Sequence, residues 1–403
     1  MNRVNKLLFS VMSMIVMSES VQATSIFARQ YDMKCSACHV GGVPPMMNST
    51  GMAFLRNGFR FSKSDETTLR ATLDGKVVPA GIMLGVGYKN GENEFQAKNP
   101  QTGQPVFHPV TGAPVMKTME NEVKNPTTNL FLAGSLNENF AAFIGAKFAY
   151  MEDENGDRSV ELQGSKVYLQ MNQQEAKHVL RAGVISPYTQ FANVTKASEN
   201  AGIDDVPMFF NSPLSIANKK SIYGMDYTYE MDNGIMLLVA GGEIEYGNQE
   251  TNIVLGVNYF NGENFRISAI LNEIIATDSA QEIARYLPFE ATLGERTTFM
   301  IAVEYKTEYA YFNTAAVYAT YGKNKAGQDT DDYYGSESAI TVPVFESGKI
   351  RAVGTFDNNS ASAYALSYSQ IFSESIMIGA NLAHTSTDMA TFDAVSATIY
   401  YVY

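Results

Sequence analysis

The two cysteines of this 403-residue chain lie three positions apart, and a histidine follows the second one directly: Cys35-Ser36-Ala37-Cys38-His39. In this spacing each thiol can add to one vinyl group of a porphyrin, and the adjacent imidazole can coordinate the iron. A zinc site would need two further ligands, and a thioredoxin-like redox pair has no use for the histidine. The motif therefore predicts one covalent haem c, held by Cys35 and Cys38, with His39 as the proximal iron ligand.

Methionines close to the motif are candidates for the sixth iron ligand, because methionine is the usual partner of histidine in electron-carrying c-type haems. Met47 and Met52 are the two candidates, with ordinary packing as the alternative role in a chain of 20 Met. Arg29 is a candidate partner of a haem propionate, since a guanidinium fits the two oxygens of a carboxylate. A structural or solvated arginine is the alternative. No acid-base or nucleophilic residue is predicted, because one-electron transfer depends on distance and potential.

The beginning of the chain has the pattern of an export signal. Arg3 and Lys6 precede an apolar run at 7–17, and Ala23 ends a site of small residues. The run is shorter than the ~20 residues that a spanning helix needs, so 1–23 are predicted to be a cleaved signal peptide. Covalent haem attachment takes place outside the bacterial cytoplasm, and the signal and the motif therefore support each other.

Composition narrows the class of protein. The net charge of −13 argues against binding to nucleic acid through bulk electrostatics. The chain has 23 Tyr, 23 Phe and 31 Gly, no Trp, and only 18% charged residues. A chain of this length would ordinarily form two or three domains, although a large β-barrel can be one.

From Val78 onward, apolar residues recur with a period of two, which is the signature of β-strands. Phe299, Ile301 and Val303, for example, share one face of a segment whose other face carries Thr298 and Glu304. An apolar face with aromatic residues near its ends is typical of the strands of a membrane barrel. Sixteen such segments are predicted, at 79–89, 128–137, 140–151, 159–171, 177–187, 221–231, 234–246, 250–260, 263–273, 297–307, 309–322, 337–346, 348–357, 361–370, 374–385 and 391–403.

The connections between these segments alternate between two classes. All the long ones, among them 90–127, 188–220, 274–296 and 323–336, follow odd-numbered segments. Those after even-numbered segments are tight, and Asp232-Asn233-Gly234 and Asn261-Gly262 have hairpin-turn chemistry. Long loops on one side and short turns on the other are typical of an outer-membrane barrel with its turns in the periplasm. The fold is predicted to be all-β, with 78–403 forming a sixteen-stranded antiparallel outer-membrane β-barrel; a soluble β-sandwich is the alternative.

In the segment before the barrel, 24–77, helical character is confined to residues 24–62. Asn48-Ser49-Thr50 can cap a short helix that should stop at Gly58. So short a segment is too small to bury a haem unaided, and it needs a partner surface. It is predicted to be a small cytochrome c plug in, or against, the periplasmic end of the barrel lumen.

The same segment resembles a known family. Phe27-Ala28-Arg29-Gln30, the haem motif, Pro45, Gly51, Phe54 and Gly58-Phe59 resemble the amino-terminal signature of the outer-membrane monohaem cytochrome–porin fusions. The resemblance is confined to this segment, and Leu55 stands where the family usually has Lys. It implies a small cytochrome c joined to a sixteen-stranded barrel, and oxidation of extracellular Fe(II).

Together these features predict an outer-membrane electron-transfer oxidoreductase. It would take single electrons from an extracellular donor, Fe(II), and pass them to a periplasmic cytochrome c; the other partner is outer-membrane lipid, and no nucleic acid is involved. The alternatives are a porin whose haem plug gates it or senses redox state, and a conduit to an extracellular acceptor. The acidic pairs Asp204-Asp205 and Asp331-Asp332, with Asp329, are candidate contacts for a metal donor, or else solvated loops.

Overall fold

The structure is a computed structural model and describes 26–40, 47–76, 78–90, 93–96, 116–119, 122–152, 158–173, 176–187, 222–244, 251–275, 296–321, 332–345, 347–357, 362–373, 376–386 and 391–402. The predicted signal peptide at 1–23 lies outside these residues. So do Asp204, Asp205, Asp329 and Asp331.

Three short helices precede the strands in the described chain: α1 (Ile26–Tyr31), α2 (Ser49–Arg56) and α3 (Thr68–Leu73). Asn48 caps α2 as predicted, because its side chain accepts a hydrogen bond from the backbone N–H of Gly51 at 2.9 Å. The chain leaves α2 through Gly58, whose φ of 68° suits glycine. Among the described helices, none has the length and apolar character needed to span a membrane.

The strands lie between Ala80 and Val402. They are β1 (Ala80–Asn90), β2 (Asn93–Gln96), β3 (Met116–Met119), β4 (Glu122–Ser135), β5 (Phe140–Glu152), β6 (Arg158–Gln173), β7 (His178–Ile185), β8 (Ile222–Glu230), β9 (Ile235–Ile244), β10 (Thr251–Phe260), β11 (Phe265–Ile275), β12 (Arg296–Lys306), β13 (Tyr311–Tyr321), β14 (Tyr333–Val344), β15 (Gly348–Asp357), β16 (Ser362–Ser373), β17 (Ile376–Ser386) and β18 (Thr391–Val402).

Sixteen of the described strands close into one antiparallel barrel. Strands β4 to β18 pair in chain order, and β1 closes the circle by pairing with β4 on one edge and β18 on the other. The predicted sixteen-stranded antiparallel barrel is confirmed, and each strand corresponds to a predicted segment. Two strands were not predicted: β2 and β3 form a hairpin within 90–127, joined to the barrel by the pairing of Asn93 with Phe392.

The barrel has a turn end and a loop end. Consecutive strands are joined at one end by tight connections such as 136–139, 231–234, 261–264 and 307–310, and the strand ends that flank the long stretches of sequence are at the other. Because the number of strands is even, β1 begins and β18 finishes at the turn end. The segregation predicted from the sequence is therefore confirmed, and the helical segment joins the barrel at its turn end.

In the barrel strands, the side chains that the structure describes alternate, with large apolar residues outside and mostly polar residues inside. In β10, Leu255 and Val257 are exposed whereas Asn252 and Asn258 are buried. A soluble barrel or sandwich has the opposite distribution, with its apolar face in the core. Other outward residues are Ile144, Leu169, Met225, Val239, Leu271, Ile301, Phe312, Leu366, Leu382 and Ile399, and other buried polar residues are Gln170, Arg181, Asp226, Ser268, Asn313, Glu337, Arg351, Ser367, Asn381 and Thr398.

An apolar layer interrupts the polar interior on the wall formed by β7 to β13, and we call it the luminal belt. Ile270 pairs with Met300, and Met300 pairs with Val317. Polar pairs lie on both sides of this layer, since Arg266 pairs with Glu304 towards the turn end and Asn272 with Thr298 towards the loop end. The belt comprises Ile185, Ile222, Met236, Leu238, Ala240, Val254, Ile270, Met300, Ala302, Ala315 and Val317, all between 0 and 6% exposed.

Candidate functional site

The haem motif forms one compact turn. Residues Cys35–Ala37 adopt a short 3-10 helix, and the backbone N–H groups of Cys38 and His39 both donate to the carbonyl of Cys35, at 3.2 and 2.9 Å. Both thiols and the imidazole are partly accessible, and no disulfide joins the cysteines. Burial, with the neighbouring Cys35, raises the pKa of the Cys38 thiol. The turn therefore carries two thiols and one imidazole within five consecutive residues.

Helix α2 begins directly against this turn. The backbone N–H of Asn48 donates to the carbonyl of Cys38 at 2.9 Å, and its side-chain amide donates to the carbonyl of Ala37 at 3.0 Å. Gly51 permits this approach, because a Cβ there would lie 2.2 Å from the carbonyl oxygen of Cys38. The same asparagine thus caps α2 and holds the motif.

The predicted additional ligands lie at different distances from the motif. An isolated antiparallel bridge places Met47 beside His39. Met52 is buried on α2. Arg29 belongs to α1, and its side chain is not among those the structure describes. The roles of Met47, Met52 and Arg29 stay predictions.

An aromatic column joins the helical segment to the inner wall of the barrel. Phe59 is 1% exposed and stacks on Phe27, with ring centroids 5.1 Å apart. On its other side it lies 6.3 Å from Phe143 of β5, which stacks on Tyr168 of β6 at 5.2 Å. Burial of such rings contributes the largest apolar share of a packed interface. The helical segment is thus packed against the wall and not merely tethered to β1.

Polar contacts fix α2 at the turn end. The side-chain amide of Gln170 donates to the carbonyls of Leu55 and Arg56, at 3.0 Å each. The Arg56 guanidinium donates to the carbonyl of Ala176 at 2.9 Å and forms an ion pair with Glu230. These barrel residues all lie in or beside the tight turns.

Helix α3 is fixed to the last residues of β4. The backbone N–H of Thr68 donates to the hydroxyl of Ser135 at 2.8 Å, and the backbone N–H of Ser135 donates to the hydroxyl of Thr68 at 3.2 Å. Gly134 permits the contact, because a Cβ there would lie 2.4 Å from the Cβ of Thr68. Together with the contacts of α2, this reciprocal pair joins the helical segment to residues of β4 and β6.

A cleft separates the chain after the motif from the wall of β11 to β13. Val40, which follows His39, packs on Tyr311. The Tyr311 hydroxyl donates to Glu304, and Arg266 donates to the same carboxylate at 3.2 Å. The cleft is lined by Val40, Met47, Asn48, Ser49, Phe260, Glu263, Asn264, Arg266, Glu304, Lys306 and Tyr311.

The residues present fit a covalent haem. Two thiols and an imidazole come from a single turn beside a cleft, and the buried Nε of Arg266, which lines that cleft, lacks a hydrogen-bond partner and suits an acidic group of a porphyrin. Within the described ranges, no three His, Cys, Asp or Glu side chains are grouped as a conventional metal site.

Sequence reasoning missed the wall side of this site. Arg266, Glu304 and Tyr311 come from three strands, and only the register of those strands brings them together. One feature of the sequence could have found these residues. The alternation of inward and outward side chains along the strands puts charged residues on the inner face just before or after a tight turn. Asp332, predicted to meet an external donor, is exposed near the loop end and accepts a hydrogen bond from Tyr318 at 2.5 Å.

Comparisons with known proteins give the fold. The barrel resembles the outer membrane channel DcaP of Acinetobacter baumannii with a TM-score of 0.50 and 8% sequence identity, over 80% of this chain and 96% of that one. OmpT, an outer membrane protein of Vibrio cholerae, gives a TM-score of 0.47 at 12% identity, over 81% and 97% of the two chains. No family model matches the chain, and no curated protein matches its sequence. The fold is that of a porin-like outer-membrane barrel.

Proposed function

We propose that the protein is an outer-membrane cytochrome that transfers single electrons between the two sides of the membrane. Each turnover moves one electron from an extracellular donor, with Fe(II) becoming Fe(III), to an oxidised periplasmic carrier of the cytochrome c class. The cofactor is one haem c on Cys35 and Cys38, with His39 as iron ligand. The resemblance to the cytochrome–porin fusions over 27–59 supports iron as the donor.

One observation carries this proposal: the turn with both thiols and the imidazole belongs to a segment whose aromatic residues pack against strands β4 and β5 of a porin-like barrel. A haem bound there would supply a one-electron redox centre. Asn48 and Gly51 hold the motif turn, and Phe59 and Gln170 hold the segment against the inner wall. A centre held at the turn end of a sixteen-stranded barrel would lie next to one side of the bilayer, and the barrel interior leads from there towards the other side.

The outward-facing apolar surface supports a location in the outer membrane. Large apolar residues cover the outside of the barrel, which is the surface that lipid contacts in membrane barrels. The tight turns then face the periplasm. In this orientation the helical segment lies on the side where a soluble electron carrier is available.

The test is a redox titration of the purified, detergent-solubilised chain followed by its visible spectrum. We expect a c-type spectrum, haem that stays with the polypeptide on a denaturing gel, and a midpoint high enough to accept electrons from Fe(II). Stopped-flow mixing with Fe(II) should then reduce the oxidised protein. A Cys35→Ala, Cys38→Ala variant is the control for covalent attachment. A wild-type chain without c-type haem contradicts the proposal, and failure of Fe(II) to reduce it between acid and neutral pH removes iron as donor.

A second candidate is a diffusion channel whose haem plug gates it or senses redox state, and the porin-like fold favours it. The luminal belt favours the first candidate, because an open aqueous lumen would wet the inner face whereas these side chains are buried. Planar-bilayer recordings separate the two. We expect no sustained conductance from wild type with haem attached, and sustained porin-like steps would establish the channel instead. If the midpoint potential of the haem lies well below that of the Fe(III)/Fe(II) couple, electrons flow outward, to an extracellular acceptor.

A further inference from the structure

Asn48 joins helix α2 to the turn that carries the haem motif. Its backbone N–H donates to the carbonyl of Cys38 at 2.9 Å, and its side-chain amide donates to the carbonyls of Ser36 and Ala37 at 3.2 and 3.0 Å. Its side-chain oxygen accepts from the backbone N–H of Gly51 at 2.9 Å. One side chain therefore donates to the motif turn and accepts from the helix at the same time.

The amide donors of Asn48 are not explained by helix capping. A cap needs only a side-chain oxygen, which asparagine, aspartate and serine supply about equally well. The two N–H bonds instead go to consecutive carbonyls of the turn between Cys35 and Cys38. An aspartate at this position could cap α2, but it could not donate there, because its oxygens are acceptors only. The donors therefore serve the motif turn and not the helix.

Met52 projects from the helix face that Asn48 ties to the motif. The backbone N–H of Met52 donates to the carbonyl of Asn48 at 3.0 Å, so the two residues are one helical turn apart. Residues four positions apart share a helix face. Met52 is 5% exposed, whereas His39 belongs to the motif turn and its backbone N–H donates to the carbonyl of Cys35. The two candidate axial ligands therefore come from two elements that Asn48 holds together.

We propose that Asn48 is a positioning residue for the haem iron: by holding the motif turn against α2, it sets the separation between His39 and Met52. The inference rests on the proposed function. Two side chains on different elements hold one metal well only when a supporting set of contacts fixes those elements relative to each other. Asn48 acts through the turn and the helix and touches no reacting atom itself. Without its amide donors the turn and α2 separate more readily, and another ligand displaces Met52 more easily.

The experiment compares Asn48→Asp with Asn57→Asp in the full, detergent-solubilised chain. Asn57 is the matched control, because it ends the same helix and its side-chain amide also donates to a backbone carbonyl, that of Arg60 at 3.1 Å. Covalent haem content is first measured on a denaturing gel. Imidazole is then titrated into the oxidised protein, and the near-infrared band of methionine ligation reports how much of the protein's own ligand is displaced. Asn48→Ser, which also keeps a capping oxygen, serves where the aspartate variant does not fold.

Loss of the two hydrogen bonds to the turn should make imidazole bind about tenfold more tightly to Asn48→Asp than to wild type. Asn57→Asp should bind imidazole as wild type does. A capping role alone predicts the reverse order, because Asn48→Asp keeps the cap and adds a negative charge where the helix dipole favours it, whereas Asn57→Asp adds one at the unfavourable end. Wild-type affinity in Asn48→Asp, or an equal effect of Asn57→Asp, would overturn the inference.

The source of the displaced ligand is tested with Met52→Leu, which should lose the near-infrared band. A band that persists in Met52→Leu, or a wild-type protein with covalent haem and no such band, would show that α2 does not supply the ligand and would overturn the inference while the redox proposal stands. Loss of covalent haem from both Asn48 variants, with Asn57→Asp fully loaded, would place the role of Asn48 in attachment and overturn its role in coordination. A wild-type chain without covalent haem would overturn the proposed function as well, and is recognised before any variant is made.

Discussion

At the scale of single residues, the geometry around the motif distinguishes the two methionines. Met47 and His39 are partners in an antiparallel bridge, and such partners have Cα atoms about 4.5–5.5 Å apart. If His39 and Met47 were both to hold the iron of a haem, their backbones would have to lie further apart than this bridge allows. Met52, on α2, is free of this restriction. The bridge thus favours Met52 as the sixth ligand if methionine is used.

Met52→Leu should abolish the near-infrared band of methionine ligation and lower the midpoint potential, because a thioether ligand raises it. Met47→Leu is the matched control and should retain the band. Both variants should keep covalent haem, since the thiols are unchanged. Loss of the band in Met47→Leu alone would show that the bridge opens when haem is attached.

At the scale of elements, the position of the segment depends on how closely α3 approaches β4. The reciprocal hydrogen bonds between Thr68 and Ser135 form only because Gly134 leaves space for the threonine side chain. Two further contacts hold the chain around α2: Phe59 packs against Phe143, and Gln170 donates a hydrogen bond to Leu55. These contacts join residues that are far apart in the chain, and no local sequence pattern predicts them.

Gly134→Ala should displace α3 from the wall. Its Cβ would lie 2.4 Å from the Cβ of Thr68, and separation would break two hydrogen bonds, each worth about 0.5–1.5 kcal/mol. Limited proteolysis of the detergent-solubilised chain should cut the segment before Ala80 faster, with the barrel intact. Gly354→Ala is the control, because its nearest neighbour would be at an ordinary 3.6 Å. Equal cleavage rates in the two variants would mean that this contact does not hold the segment.

At the scale of the whole molecule, the distribution of side chains is that of a barrel surrounded by lipid. Leu255 faces outward in the middle of β10, and Tyr259 faces outward near its turn end. The luminal belt lies inside the same strands. The outside is therefore suited to a bilayer while the middle of the inner wall is shielded from water.

Leu255→Arg should cost about 2–4 kcal/mol of stability in lipid vesicles, because a charge at the middle of the bilayer is poorly solvated. Tyr259→Arg should cost about 0–1 kcal/mol, since it lies near the interface. Reversible urea unfolding in vesicles measures both. Equal costs at the two positions would place the barrel outside a bilayer.

The sequence by itself determined the sixteen strands of the barrel and the side on which each connection between them lies. These depend on alternation and turn chemistry, which are local properties of the chain. It also determined the motif, because three residues within five positions define that chemistry. The hairpin of β2 and β3 was missed because four-residue strands show too little period, and β4 begins earlier than predicted because Pro126 and its polar neighbours hide the pattern.

Only the tertiary structure decided what surrounds the motif. Arg56 forms an ion pair with Glu230, and Phe59 packs against Phe143. Arg266 and Tyr311 both donate hydrogen bonds to Glu304. Each contact depends on strand register, barrel closure and the docking of the helices. Register sets which inward residues are neighbours, and a shift of one residue would turn all of them outward. The chemistry of the motif is therefore local, whereas its environment is a property of the closed barrel.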